Sequence, residues 1–210
     1  MPPLTIVAFG DSLTAGFVAP TLLRPWGDEA PYTARLEQWL ADAGLGDRAR
    51  VFNRGVSGEL TEEMLLRFGD DVAALRPDIV VILGGSNDLG WGLEPRLVLA
   101  NLSELYRRCA EIGAAVIACT VPSIRGFDAL IAPRKLLNRR LQQRCVEATI
   151  ACVDLFEATA EPSTGRLRVE YSSDGLHLSV AGYARMAEAI WEALEPLARH
   201  LVAEVKEQSQ

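Results

Sequence analysis

The stretch "IVAFGDSLTAG", residues 6–16, starts as an unbroken apolar run and stops abruptly at Gly10, Asp11 and Ser12. Continuous rather than alternating hydrophobicity marks a strand covered on both faces, the habit of parallel sheets. Four more apolar, β-branched runs follow: "ARVFN" (49–53), "DIVVILGG" (78–85), "AAVIACTVP" (114–122) and "ATIACVDL" (148–155). Segments with helical spacing lie between them, at 31–44, 59–75, 94–113 and 133–148, and a last one at 179–205 closes the chain. Strand–helix alternation implies right-handed crossovers and a parallel sheet between two helical layers. The expected fold is α/β, a three-layer α/β/α sandwich on a five-stranded parallel sheet. A flavodoxin-like strand order is expected, although alternation alone does not fix it.

At 210 residues, with no Gly/Ser-rich or Pro-rich linker, the chain reads as one domain spanning 1–210. Its net charge of −7, with no Lys/Arg cluster, repels phosphate backbones and anionic lipid headgroups, so nucleic acid and membrane surfaces are not expected partners. The longest uncharged runs, such as "AAVIACTVPSI", fall well short of the roughly 20 apolar residues of a spanning helix. The opening "MPPLTIVAFGDS" has no basic n-region and runs straight into a strand, which points to a cytoplasmic protein unless a leader has been trimmed. Cys109, Cys119, Cys145 and Cys152 form no CxxC pair and read as small buried hydrophobes.

Three long irregular regions, 17–31, 122–133 and 156–177, leave the sheet at the carboxyl ends of strands, where open α/β folds place their ligands. A nucleophilic serine needs a base within hydrogen-bond reach and donors for the charge it creates. The chain has two histidines. His200 lies near the terminus on the last helix, where exposure is expected. His177 lies in "SSDGLHLS", with Asp174 three residues upstream. In a turn leading into a helix, Asp174 can accept the imidazole Nδ1 proton and leave Nε2 free for Ser12.

Taken singly, each piece has an ordinary reading. Asp11 could simply cap a helix, and "DG" is a common turn pair. "NRGVSGE" (53–59) supplies Gly55 and Gly58, which let a backbone N–H approach a reacting oxygen, yet glycines after strands are ordinary turn residues. "GGSND" (84–88) ends the third strand with Asn87, a neutral side-chain donor, although Ser86, Asn87 or Asp88 could equally cap a helix. Ser, Gly, Asn and His nevertheless follow the first, second, third and last strands in that order, and carboxyl ends of parallel strands share one edge.

These linked motifs, "GDSL" (10–13), "NRGVSG" (53–58), "GSND" (85–88) and "DGLH" (174–177), strongly resemble those of the GDSL, or SGNH, hydrolase family over nearly the whole chain. The resemblance implies the SGNH hydrolase fold and a serine esterase. Ser12 would be the nucleophile and Asp174 and His177 its partners. The Ser12 N–H, the Gly58 N–H and the Asn87 side chain would form the oxyanion hole. Alignment on Asn53 favours Gly58 as the donor and leaves Gly55 as a turn former. Asp11 and Asp88 would position loops through hydrogen bonds to neighbouring backbone. With no "GxSxG", a strained nucleophile elbow is not expected; the serine should sit on a more relaxed, more open turn.

No metal or cofactor is called for. The expected substrate is a small ester of a short acyl chain, aryl or simple alkyl. Leu13, Leu89, Trp91, Ile124, Phe127 and Leu176 are candidates for an apolar pocket, with packing the competing role of each. Within the family, carbohydrate acetyl esterase, thioesterase and lysophospholipase are alternatives. Outside it stand a noncatalytic small-molecule-binding module and a metal phosphoesterase built on Asp11, Asp88, Asp174 and His177. The last helix offers apolar faces that can cover the core, a second copy in a homo-oligomer, or both.

Overall fold

The computed structural model describes residues 3–20, 22 and 25–207; positions 21, 23 and 24 of the first irregular region lie outside it. In chain order, β1 (Leu4–Gly10) leads into the one-turn helix α1 (Ser12–Ala15), the ribbon of β2 (Phe17–Val18) and β3 (Asp28–Glu29), and α2 (Tyr32–Asp42). There follow β4 (Ala49–Gly55), α3 (Thr61–Asp71), β5 (Ile79–Leu83), the short α4 (Ser86–Gly90), α5 (Pro95–Glu111) and β6 (Ala115–Cys119). The chain closes with α6 (Ile131–Ala148), β7 (Ala151–Val153), the short α7 (Leu155–Thr159) and the long α8 (Val180–Glu207). The five long-range strands pair in parallel in the order β4-β1-β5-β6-β7, the flavodoxin-like arrangement.

Period-two alternation divides each inner strand between two cores. Ile6, Ala8, Val81 and Ile117 face one side, where Leu36 and Leu40 of α2 and Met186 and Ile190 of α8 cover them. Val7, Phe9, Val80 and Ile82 face the other, against Met64 and Phe68 of α3, Leu102 and Leu105 of α5, and Leu137 and Leu141 of α6. Both faces are therefore dry, which explains why the strands read as continuous apolar runs. The two edge strands are the exceptions: β4 carries the exposed Arg50, and β7, the shortest of the five, leaves Ala151 and Cys152 exposed. Cys152 thus departs from the expected buried state, whereas Cys109, Cys119 and Cys145 are buried.

Register brings the strand ends level. Gly10 stands opposite Gly55 on one side and Leu83 on the other, so the turns after β1, β4 and β5 leave the sheet side by side. The turn-forming role expected of Gly55 is not what the backbone shows. Gly55 is still in the strand, and a Cβ there would lie 2.1 Å from the Ala15 amide nitrogen. It is glycine because α1 passes directly over it; the left-handed turn falls at Gly58, with φ +84°.

Candidate active site

Ser12 is the first residue of α1, and Asp11 caps that helix, its Oδ1 accepting the Leu13 N–H at 2.9 Å. The helix-cap reading and the strand-tip reading of "GDS" both hold. Among the described residues, positive φ outside glycine occurs only at Arg76 and Thr149, so the serine turn is relaxed as expected. It is not open: Ser12 is 6% exposed.

Ser12 Oγ stands 3.2 Å from His177 Nε2, across 165 residues of sequence. His177 Nδ1 lies 2.7 Å from Asp174 Oδ2. The other carboxylate oxygen, Oδ1, accepts the His177 N–H at 2.7 Å and the Leu176 N–H at 2.9 Å. Two backbone donors therefore lock the acid in a tight turn, and a carboxylate at Nδ1 selects the tautomer whose Nε2 lone pair faces the serine. Partial burial pushes the Asp174 carboxyl up, but the bonds from His177 and Leu176 outweigh it and hold the group below the ordinary carboxylate range. Phe17 sets its ring edge-on against the imidazole, centroids 4.6 Å apart. His200 is exposed on α8, beside Glu204 at 3.2 Å, and takes no part here.

The three candidate donors emerge from the three aligned strand ends. Asn87, in the first turn of α4, donates through Nδ2 to the Glu59 carbonyl at 2.9 Å, and its second amide hydrogen is left for another acceptor. The Ser12 and Gly58 N–H groups make no hydrogen bond to another described residue. Asn53, the first letter of the second motif, braces these turns. Its Nδ2 donates to the Thr14 carbonyl (2.8 Å) and to Thr33 Oγ1 (3.2 Å), while its Oδ1 accepts the Gly55 N–H (2.9 Å). Asp88 positions a loop as expected, but its partner is distant in sequence: it accepts the Thr61 N–H at 3.1 Å and the Thr61 hydroxyl at 2.6 Å.

Beneath the site lie two buried ionisable groups, of which sequence reasoning named Asp11 but not Arg134. Asp11 is fully buried and Arg134 of α6 is 1% exposed, with Arg134 Nη2 donating to Ser86 Oγ at 2.9 Å. Burial pushes the Asp11 carboxyl up to about 7 despite its bond from Leu13. Burial also pushes Arg134 down to about 10, against the pull of the Asp11 charge. The available signal was positional: Arg134 shares a helix face with Leu137, Asn138, Leu141 and Cys145, the buried stripe of α6.

Of the pocket candidates, Leu13 and Leu89 are buried in the two cores and Ile124 is 2% exposed, so all three serve packing in this arrangement. Trp91, directly after α4, and Phe127 are exposed, and Leu176 is half-buried. The Phe127 ring approaches Gly175, two residues before His177. Among the described residues, no three His, Cys, Asp or Glu side chains cluster closely enough to hold a metal ion, so the Asp11, Asp88, Asp174 and His177 set does not form a metal centre. No described helix is long and apolar enough to cross a membrane.

The model of the GDSL-like Lipase/Acylhydrolase family matches residues 8–185. Esterase TesA of Pseudomonas aeruginosa is 26% identical over 195 residues, 92% of this chain and 89% of that protein. An arylesterase of Vibrio mimicus is 31% identical over 112 residues, 53% of this chain and 52% of that protein. The lipase/acylhydrolase from Enterococcus faecalis superposes with a TM-score of 0.74 at 28% identity, covering 92% of this chain and 96% of its own. With four motifs in register and the sheet order to match, the chain belongs to the GDSL-like lipase/acylhydrolase family and is a carboxylic ester hydrolase.

Proposed function

We propose that this enzyme hydrolyses short-chain carboxylic esters, aryl or simple alkyl acetates and butyrates, through an acyl-enzyme on Ser12. The observation that carries the reading is the continuous chain from Ser12 Oγ to His177 (3.2 Å) and on to Asp174 (2.7 Å). As Oγ bonds to the ester carbonyl carbon, His177 Nε2 takes the hydroxyl proton and the carbonyl oxygen becomes an oxyanion. The Ser12 N–H, the Gly58 N–H and the Asn87 amide surround that oxygen. Collapse of the intermediate breaks the bond to the alcohol, which leaves with the proton from His177. Water then gives its proton to His177, attacks the acyl carbon, and the regenerated Ser12 recovers that proton.

The small-ester reading draws support from the arylesterase relative and from the aromatic surroundings of the histidine, Phe17 on its ring and Phe127 beside Gly175. The test is a hydrolysis panel: acetyl, butyryl and octanoyl esters of one chromophoric alcohol, a thioester and an acetylated sugar, with Ser12→Ala as the blank. Acetyl and butyryl esters should turn over fastest, and only with Ser12 present. Asn87→Ala should slow that turnover by roughly two to three decades, the usual effect of losing one oxyanion donor. Preference for the thioester or the sugar would replace the substrate reading, and hydrolysis indifferent to Ser12→Ala would end the mechanism.

A further inference from the structure

The donor turns need something to hold them at one spacing, because an oxyanion hole works only if its N–H groups are already aimed before charge develops. Arg67 of α3 occupies that position. Its Nη2 donates to the Gly10 carbonyl at 3.1 Å, two residues before Ser12. The same guanidinium grips both carboxylate oxygens of Glu59, the residue after Gly58, through Nε and Nη2. Its Nη1 donates to Asp71 at 3.0 Å, and its plane lies over the Phe9 ring, 4.2 Å from the centroid.

Backbone bonds complete the frame. The Gly10 carbonyl also accepts the Val56 N–H at 2.9 Å, and the Glu59 N–H donates to the Val56 carbonyl at 3.3 Å, closing the turn that holds Gly58. The Glu59 carbonyl is the acceptor that orients Asn87. One planar fork thus touches the strand end ahead of Ser12 and the residue that both follows Gly58 and holds Asn87. The Glu59 side chain is 5% exposed and that of Arg67 17%; burying such a pair contributes little net stability, since desolvation offsets the attraction. Fixed geometry is what the pair does supply.

We infer that Arg67 is a positioning residue for the oxyanion hole, clamping the Ser12 turn to the Gly58 turn and, through the Glu59 carbonyl, setting the Asn87 amide. The assignment rests on the Ser12 mechanism proposed above. It calls for kinetics per active site, counted by stoichiometric phosphonate titration of Ser12, on a short-chain aryl ester. The set comprises wild type, Arg67→Met, Arg67→Lys, Glu59→Gln, Asn87→Ala and the Arg67→Met/Asn87→Ala double variant, each with a thermal melt, and Ser12→Ala as the blank.

Arg67→Met should lower kcat about 10- to 100-fold with KM within about twofold. Arg67→Lys, which keeps the charge and loses the fork, should restore only part of it. In the Asn87→Ala background the same change should cost less than it does in wild type, because the part of its effect carried through the Asn87 amide is already lost. Glu59→Gln should lower kcat several-fold in the same KM-independent way, and it decides the matter if Arg67→Met does not fold. A kcat within twofold of wild type in the soluble variants overturns the assignment, as does a loss that multiplies in full with Asn87→Ala, or one that falls on KM alone. Wild-type hydrolysis that survives Ser12→Ala overturns the mechanism and this assignment together, whereas Ser12-dependent hydrolysis indifferent to Arg67 and Glu59 overturns the assignment only.

Discussion

Asp11 does two jobs with its two oxygens. Oδ1 caps α1 and so aims Ser12, while Oδ2 is buried with no hydrogen-bond partner among the described residues. With the carboxyl pushed up from 3.8 to about 7, the folded protein keeps a proton there that the unfolded chain has already lost. Stability linked to this group is therefore full below pH 3.8, falls as pH rises toward 7, and is flat above it. Asp11→Asn keeps an acceptor for the Leu13 N–H and removes the titration. Its melting temperature relative to wild type should climb between pH 4 and pH 8, by the equivalent of a few kcal/mol, since each tenfold difference in proton affinity between folded and unfolded chain is on the order of 1.4 kcal/mol. Paired melts across that range check it, and a difference constant with pH would show that the buried carboxyl does not titrate there.

At the scale of elements, the site is a meeting of strand ends under a one-turn helix. The closeness of α1 to β4 is possible only without a side chain at Gly55, since a Cβ would meet the Ala15 nitrogen at 2.1 Å and backbone atoms cannot rotate aside. Gly55→Ala should push α1 outward, cost more than about 2 kcal/mol of stability, in the range of severe overpacking, and lengthen the Ser12–His177 separation. A thermal melt and the rate of phosphonate labelling at Ser12 report the two effects; an unchanged melt with unchanged labelling would mean that the close approach is relaxed in solution. Cys152 teaches the complementary lesson about edges. An edge strand such as β7 has a neighbour on one side only and less cover over its faces, yet its apolar letters look like those of an inner strand.

Across the whole molecule, the last helix closes the site built by the first strand. Tyr183 of α8 is buried, and its hydroxyl donates to the Phe17 carbonyl at 2.8 Å. That bond ties the segment after His177 to the segment after Ser12, so the two halves of the proton path share one anchor. Tyr183→Phe removes that bond and the longer one, 3.5 Å, from the same hydroxyl to the Ser12 carbonyl, a shared donor worth about 1 kcal/mol. The expected outcome is a melting temperature lower by about 2–4 °C for a domain of this size, with the fold retained by circular dichroism. No change in the melt would show that water replaces the hydroxyl at Phe17.

Much of this design is local and so was legible in the chain itself. Apolar runs and helical spacing determined the layers, and four short motifs marked Ser12, Asp174 and His177 as candidates, because a strand ends where its apolar letters end and a turn carries its acid and its imidazole together; the strand order, which alternation leaves open, came from the fold. What only the tertiary structure decided are the partners of side chains that look like ordinary surface charges. Arg67 meets Gly10 across 57 residues and Arg134 meets Ser86 across 48. An arginine on a helix carries no mark of whether its face turns to water or toward a strand end. Which of these happens depends on how the helices settle on the sheet, and packing settles that only when every element is in place.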